Sequence, residues 1–199
     1  MSVYEGRVRE YFLSPRHAGE VSGANAVGDM GSLACGAVLR LSLKIDAESR
    51  RVTEAKFKAT GCGFLIASAN ALALMVQELT LGEAGQLSEE SLAATAILEH
   101  LGDVPMGRMH CVALCRDALA RAIKHYRETS LEEWTGEEAL ICTCFGVSEK
   151  TIEDEIRTGS LRTIKQVTKA CNAGGGCHSC HPLIEDILAD YWRTAGAGD

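Results

Sequence analysis

The chain ends its last third with two short motifs that could do chemistry. Cys142-Thr143-Cys144 and Cys177-His178-Ser179-Cys180 form a C-x-C…C-x-x-C pair. Four thiolates grouped in this way suit a metal, and the spacing is compatible with zinc as well as with an iron–sulfur cluster. The lead-in Ala173-Gly174-Gly175-Gly176 favours a cluster, because successive glycines let backbone N–H groups crowd an anion and its bridging sulfides. Pro182 opens a helical segment whose positive end would face the same place. His178 and His181 flank the thiols and are expected to support the site or lie at the surface rather than ligate.

Three further cysteines stand at the edges of elements. Cys35 lies in Ala34-Cys35-Gly36, Cys62 in Gly61-Cys62-Gly63, and Cys111 follows His110. Glycine beside two of them allows close backbone approach to a ligand. Cys62 and Cys111 are expected near helix N-termini, where the dipole would favour thiolate, the form that binds iron or attacks sulfur. Their spacing alone leaves zinc ligation, redox chemistry and chance open. Cys115, one turn after Cys111, is read as a small buried residue, and Cys171 is given no role.

The elements that must position these thiols can be read from the hydrophobic pattern. Val3, Val8, Phe12 and Leu13 recur at roughly helical spacing over 2–13, ended by Ser14-Pro15. Leu39, Leu41, Leu43 and Ile45 alternate with Arg40, Ser42 and Lys44, the pattern of a half-buried strand over 38–45 with its polar set outward. Residues 52–59 read as the antiparallel partner, and 64–79, 87–101 and 111–127 as helices. Segments 148–158, 163–169 and 182–192 read as short helices packed around cysteine loops. The polar, acidic stretch TSLEEWTGEE is read as an interdomain linker. The expected domains are therefore 1–128, a linker at 129–139, 140–192, and a frayed tail at 193–199.

Composition narrows the function. The 199 residues carry a net charge of −7. No Lys/Arg cluster tracks phosphates, which argues against nucleic-acid binding. No signal peptide and no apolar stretch long enough for a membrane span is evident, so a cytoplasmic protein is expected. Nine cysteines, an odd number, in a reducing compartment point to metal or thiol chemistry rather than disulfides. No Ser/His/Asp constellation, phosphate loop or carboxylate pair stands out, so a carrier rather than an enzyme is expected.

The first domain resembles the IscU/NifU family of iron–sulfur scaffold proteins. The likeness rests on Tyr4, Val8, Phe12, Pro15 and Gly19, then GANAVGDMGSLACG, FKATGCGFLIAS and MHCVALCRDAL. It implies an α+β fold, a small antiparallel sheet packed with helices. It also implies that Cys35, Cys62 and Cys111 take sulfur from a NifS-type, pyridoxal-phosphate cysteine desulfurase and hold a transient [2Fe–2S] or [4Fe–4S] cluster. His110 is carried over as the candidate fourth ligand. Residues 140–188 resemble the bacterioferritin-associated-ferredoxin type of [2Fe–2S] domain, small and mainly helical, through ALICTCFGVSE and AGGGCHSCHPLIEDIL. That likeness implies a permanent [2Fe–2S] cluster on Cys142, Cys144, Cys177 and Cys180. Full-length members of the NifU type add a third domain, which this sequence does not reach.

One departure bears on chemistry. The family pattern at the first cysteine is Cys-Gly-Asp, whereas here it is Cys35-Gly36-Ala37. An aspartate offers a hard, labile oxygen ligand beside soft thiolates, and alanine cannot ligate. Slower cluster release follows as an expectation. The resemblance also implies a homodimer and apo-protein acceptors, either of nitrogenase or of a general pool. Residues 104–108 depart from the LPPVK segment that relatives use for a chaperone. The leading expectation is a cluster-assembly scaffold with a second, permanent redox cluster. The alternative is a ferredoxin-like electron carrier with a degenerate scaffold domain. A zinc-binding relative is disfavoured by Ala37, because such proteins use the aspartate as a ligand.

Overall fold

The computed structural model describes residues 4–47, 49–88, 90–102, 104–132, 139–176 and 178–195. The chain divides into two compact units, Met1–Tyr126 and Arg127–Asp199. The expected α+β class is what the structure shows: a three-stranded sheet with helices, followed by a small, mostly helical unit.

In unit 1, β1 (Ala26–Ser32), β2 (Ala37–Ile45) and β3 (Val52–Thr60) form an antiparallel sheet in the order β1-β2-β3. Leu39, Leu41, Leu43 and Ile45 are all at most 2% exposed, as the alternation predicts. Ser42 departs from that prediction. It is buried, and its hydroxyl takes the Val21 N–H at 3.1 Å and donates to the Lys56 carbonyl at 3.2 Å. A buried hydroxyl satisfied on both counts costs little, so the outward face is closed here rather than wet. β1 lies inside a Gly/Ala/Asn-rich stretch, residues 18–36, whose pattern does not predict a strand. Its Gly28 pairs with Leu41, and a side chain at Gly28 would overlap the Ala118 carbonyl oxygen. The glycine therefore lets α5 (Met109–Glu132) lie directly on the sheet.

Helix α2 (Gly63–Val76) is buried along most of its length and packs on β3. Helix α1 (Gly6–Leu13) packs on α2 and reaches α4 (Glu90–Leu101), where Tyr11 Oη meets His100 Nε2 at 2.7 Å. Between α2 and α4 stands α3 (Leu81–Leu87), which begins with a capping box: Thr80 and Glu83 each satisfy the other's backbone N–H. The seven-residue helix is too short to show an apolar period. Helix α5 runs on to Glu132, four residues into the stretch expected as a linker, and residues 133–138 lie outside the described residues.

Unit 2 opens with a hairpin, β4 (Leu140–Cys142) and β5 (Val147–Ser148). Three helices follow: α6 (Glu149–Gly159), α7 (Ile164–Cys171) and α8 (His181–Ala195). Ser148 caps α6 by accepting from the Thr151 N–H, and Thr163 with Gln166 forms a capping box on α7. Ser160 and Asn172, both left-handed, end these two helices. The core of this unit is Phe145, Ile152, Ile156, Val167 and Ile184.

Candidate cluster-binding sites

In unit 1 the three sequence-predicted thiols line one cavity of about 230 Å³, together with Ala37, Gly61, Arg108 and His110. Three different local structures bring them there. Cys35 sits in the four-residue loop of the β1–β2 hairpin, closed by the Gly36 N–H donating to the Ser32 carbonyl at 2.8 Å. Gly36 has φ +67°, the left-handed geometry that this turn requires. Cys62 is the N-cap of α2, and its carbonyl accepts the Leu65 and Ile66 N–H groups at 3.0 and 3.2 Å. Cys111 lies in the first turn of α5.

Cys62 Sγ and Cys111 Sγ are 3.6 Å apart, and His110 Nε2 is 3.5 Å from Cys111 Sγ. Cys35 is exposed, Cys62 half-buried and Cys111 buried. Among the described residues, no three His, Cys, Asp or Glu side chains close into a ready-made cage for one metal ion. The cavity gathers thiols at graded depth instead.

Two of the thiols, Cys111 and Cys35, are shifted in opposite directions. Cys111 is pushed above its ordinary value, first by burial and then by the neighbouring Cys62 thiol. The lowered thiol pKa expected at Cys111 is thus not found, and desolvation of the anion is the first reason. Cys35, on a loop, is the thiol held below its ordinary value. The Ser32 hydroxyl is the main cause, followed by the backbone N–H of Ala37 and, after a small opposing effect of burial, the Arg108 charge. Cys115 is wholly buried, and burial drives its thiol far up, which makes it an inert core residue.

Sequence reasoning missed three residues that shape this cavity. Arg108 supplies the positive charge, with its guanidinium 6.0 Å from the centre of the Phe64 ring. Ser32 stands beside Cys35. The Tyr4 hydroxyl accepts the Gly63 N–H at 3.0 Å, and the ring packs against Phe12 and Phe64, fixing the first turn of α2 next to Cys62. No sequence signal marks Arg108 or Ser32, since each acts across a gap that only the fold closes. Ala37 is 4% exposed and lines the cavity, so an aspartate here would stand among the thiols.

In unit 2, Cys142 ends β4 and Cys144 stands in the hairpin turn, where the Phe145 N–H donates to the Cys142 carbonyl at 3.3 Å. Cys180 directly precedes α8, and its carbonyl accepts the Ile184 N–H at 3.0 Å. Cys142 and Cys180 are buried, and the two thiols lie close enough to act on one another. Burial, then the Cys142 charge, raises the Cys180 thiol. The predicted ligand Cys177 lies outside the described residues. Its neighbour Gly176 is the telling position. A Cβ there would sit 3.0 Å from Cys144 Cβ and 3.1 Å from Cys144 Sγ and the Phe145 ring. Gly174, at φ +81°, lies against His181, whose Nε2 is 2.8 Å from the Gly174 carbonyl. His181 thereby holds the glycine loop, and its ring stacks on His178. Sulfur donors and a glycine loop packed closely against a thiol fit a [2Fe–2S] group. Cys171 is half-buried and donates to the Val167 carbonyl.

A family model described as NifU-like N terminal domain matches residues 3–133. The chain belongs to this family. A second model, BFD-like [2Fe-2S] binding domain, matches residues 140–190, so iron–sulfur clusters are its cofactors. The nitrogen fixation protein NifU of Azotobacter chroococcum is 41% identical over 187 residues, covering 94% of this chain and 59% of that one. The iron-sulfur cluster assembly scaffold protein IscU 1 of Archaeoglobus fulgidus is 32% identical over 124 residues, covering 62% of this chain and 76% of that one. The crystal structure of the N-terminal part of a NifU-like protein from Brucella abortus shares the fold. It has a TM-score of 0.50 and 22% identity, and covers 63% of this chain and 95% of that one. The chain spans 59 to 66% of the length of the first four curated NifU relatives it matches. Among the described residues, no helix is long and apolar enough to cross a membrane.

Proposed function

We propose that the chain is an iron–sulfur cluster assembly scaffold, a carrier rather than an enzyme. Unit 1 builds a cluster on Cys35, Cys62 and Cys111 and passes it to apo-proteins. Unit 2 keeps a [2Fe–2S] cluster on Cys142, Cys144, Cys177 and Cys180. The observation that carries this reading is the meeting of three thiols from a hairpin loop and two helix starts in one cavity, within a fold shared with named scaffolds.

The graded exposure gives the thiols different tasks. Cys35 is exposed and thiolate-favoured, so it is the natural sulfur acceptor. Its thiolate attacks the terminal sulfur of a persulfide on a cysteine desulfurase. The S–S bond of the donor breaks, and the desulfurase thiolate leaves. Cys62 and Cys111, one sulfur–sulfur contact apart, then bind incoming iron, with His110 as the nearest candidate for a fourth ligand. A [2Fe–2S] group in unit 2 supplies one-electron storage. There, Cys142 and Cys180 provide buried thiols, and the glycine loop packs against Cys144 and the Phe145 ring. A homodimer in the cytoplasm, with desulfurase and apo-acceptors as partners, completes the reading.

The test is an assay of iron, zinc and acid-labile sulfide on anaerobically purified protein, with and without Cys35, Cys62 and Cys111 replaced by serine. The scaffold reading predicts that the triple variant keeps the unit 2 cluster but assembles no further iron and sulfide when a desulfurase, cysteine and ferrous iron are supplied. Ala37 favours the second reading, a ferredoxin-like carrier with a degenerate scaffold domain. That reading predicts no difference between the two proteins.

A further inference from the structure

Unit 2 distributes its charge unevenly. From Thr158 to His181 the chain contains Arg162, Lys165 and Lys169 and no acidic residue, in a protein of net charge −7. All three cations are exposed. Among the described residues no ion pair engages them, whereas Arg157 pairs with Asp154 and Arg193 with Asp190. The acidic residues of the unit lie on the flanking helices, with Glu149, Glu153, Asp154 and Glu155 on α6 and Glu185, Asp186 and Asp190 on α8, and of these Glu185 borders the groove described next.

The basic stripe borders a built groove. The Arg162 guanidinium lies 4.0 Å from the centre of the Trp192 ring, and Trp192 Nε1 donates to the Leu161 carbonyl at 2.8 Å. These contacts fix one wall of a groove of about 640 Å³ that Ile164, Lys165, Leu188 and, from α8, Glu185 also line. An apolar floor with a charged rim is the anatomy of a protein-docking patch. The stripe also leads to the thiols. Thr168, between Lys165 and Lys169, donates its hydroxyl to the Ala173 carbonyl at 2.7 Å, and its methyl stands 3.2 Å from where a Cβ on Gly175 would be. The next residue, Gly176, abuts Cys144.

We propose that the Arg162–Lys165–Lys169 face of α7, with the Trp192 groove beside it, docks a small acidic one-electron carrier protein that reduces unit 2. This rests on the reading of unit 2 as the keeper of a [2Fe–2S] cluster. The exchange is one electron: the carrier is oxidised by one equivalent and the chain reduced by one, with no bond or proton moved. A protein suits the face better than an extended polyanion does. Three cations flanked by two acidic helices offer a short complementary patch, and the groove calls for an apolar side chain at its centre.

The probe is oxidised flavodoxin, an acidic flavin protein, titrated into the cluster-loaded chain while the Trp192 indole N–H is followed by NMR. With both proteins oxidised no electron flows, so the readout is docking alone. Docking is expected to shift the Trp192 signal. Raising NaCl from about 20 to about 300 mM should weaken it about tenfold or more, because exposed charges are screened over that range. Lys165→Glu with Lys169→Gln should weaken it by a similar factor, whereas Glu153→Lys on α6 should not weaken it. Lys165→Glu places an acid in the first turn of α7, which the helix dipole favours, so folding is retained. Stopped-flow bleaching by reduced flavodoxin should slow in step with affinity, while bleaching by dithionite stays unchanged. Equal binding by the wild type and the α7 variant, or an unmoved Trp192 signal, overturns the proposal. A chain with no sulfide and no bleaching by dithionite would instead overturn the cluster reading of unit 2, while the titration still tests the face.

Discussion

The two thiol sites use the same residue type under opposite constraints. In unit 1 the thiols come from three distant parts of the sequence and lie at graded depth, one exposed, one half-buried and one buried. In unit 2 the described thiols come from one hairpin and one helix start. Two of them are buried, and glycines press the loop onto the third. A site that must take in sulfur and iron and give up a product needs an accessible edge. A site that must retain its group needs ligands already desolvated and held by backbone that cannot relax. On the proposed assignment, the two sites differ less in the number of thiols than in how tightly the loops around them are packed.

The largest expected effect breaks unit 2 through its backbone. Gly176→Val puts branched carbon where even a Cβ would crowd Cys144 Cβ and Sγ and the Phe145 ring. The two added methyl groups crowd a contact that a single carbon already tightens, so the loop is expected to shift away from the thiol. Visible absorbance of the as-purified protein should fall to about a tenth, consistent with the loss that follows when a ligand set is displaced. Iron and sulfide assembly on unit 1 by desulfurase should persist. Retention of the full spectrum would show that the glycine loop is not what holds the group.

The second effect separates the sites by pH. Metal must displace the proton from Cys111, which burial holds well above the ordinary value. A raised pKa means a proton retained at neutral pH, so loading strengthens as pH rises and weakens as it falls. One displaced proton gives about a tenfold change in affinity per pH unit. Ferrous-ion titration of the chain, with unit 2 already loaded, between pH 6.5 and 8 measures it. A flat profile would mean that Cys111 is not a ligand. The absorbance of unit 2 should stay constant across the range.

The third effect bears on Ala37, the one position where unit 1 leans toward retention. It is buried at the cavity edge, beside Cys35 and opposite Gly61. Ala37→Asp introduces an oxygen ligand among thiolates, and transfer of the assembled cluster to an apo-ferredoxin should quicken about fivefold, the signature of a weaker, harder ligand. No acceleration would show that Ala37 does not govern release.

Much of this was legible in the residues, but unevenly. β2 follows from its alternation, with Ser42 as the exception because a buried hydroxyl with two partners looks polar in sequence. β1 is hidden by Gly28 and Gly31, which dilute its alternation; Gly28 does so to let α5 pass overhead. The capping box of α3 is written in Thr80 and Glu83, yet seven residues carry no period. At the sites, the three thiols of unit 1 could be named, but their acidities could not. The dipole argument for Cys111 needs its burial, and the low value at Cys35 needs Ser32 and Arg108. These are distances across the fold, and no spacing along the chain encodes them.

The smallest effect isolates that last point. Ser32 is the main reason the Cys35 thiol lies below its ordinary value, and Ala37 N–H and Arg108 contribute less. Ser32→Ala removes one donor and leaves the hairpin bond between Gly36 N–H and the residue 32 carbonyl intact. At neutral pH the thiolate fraction of Cys35 should drop, and its alkylation by iodoacetamide should slow about threefold, since rate follows thiolate population. Mass spectrometry of the apo-protein reads this site by site. Cys35 should remain the first thiol modified, because it is exposed, and Cys115 should stay unmodified while the protein is folded. Sulfur transfer from a desulfurase should slow by the same factor if Cys35 is the acceptor. Unchanged transfer with slowed alkylation would assign the acceptor role to Cys62 or Cys111 and turn the graded depth of unit 1 into a matter of cluster packing alone.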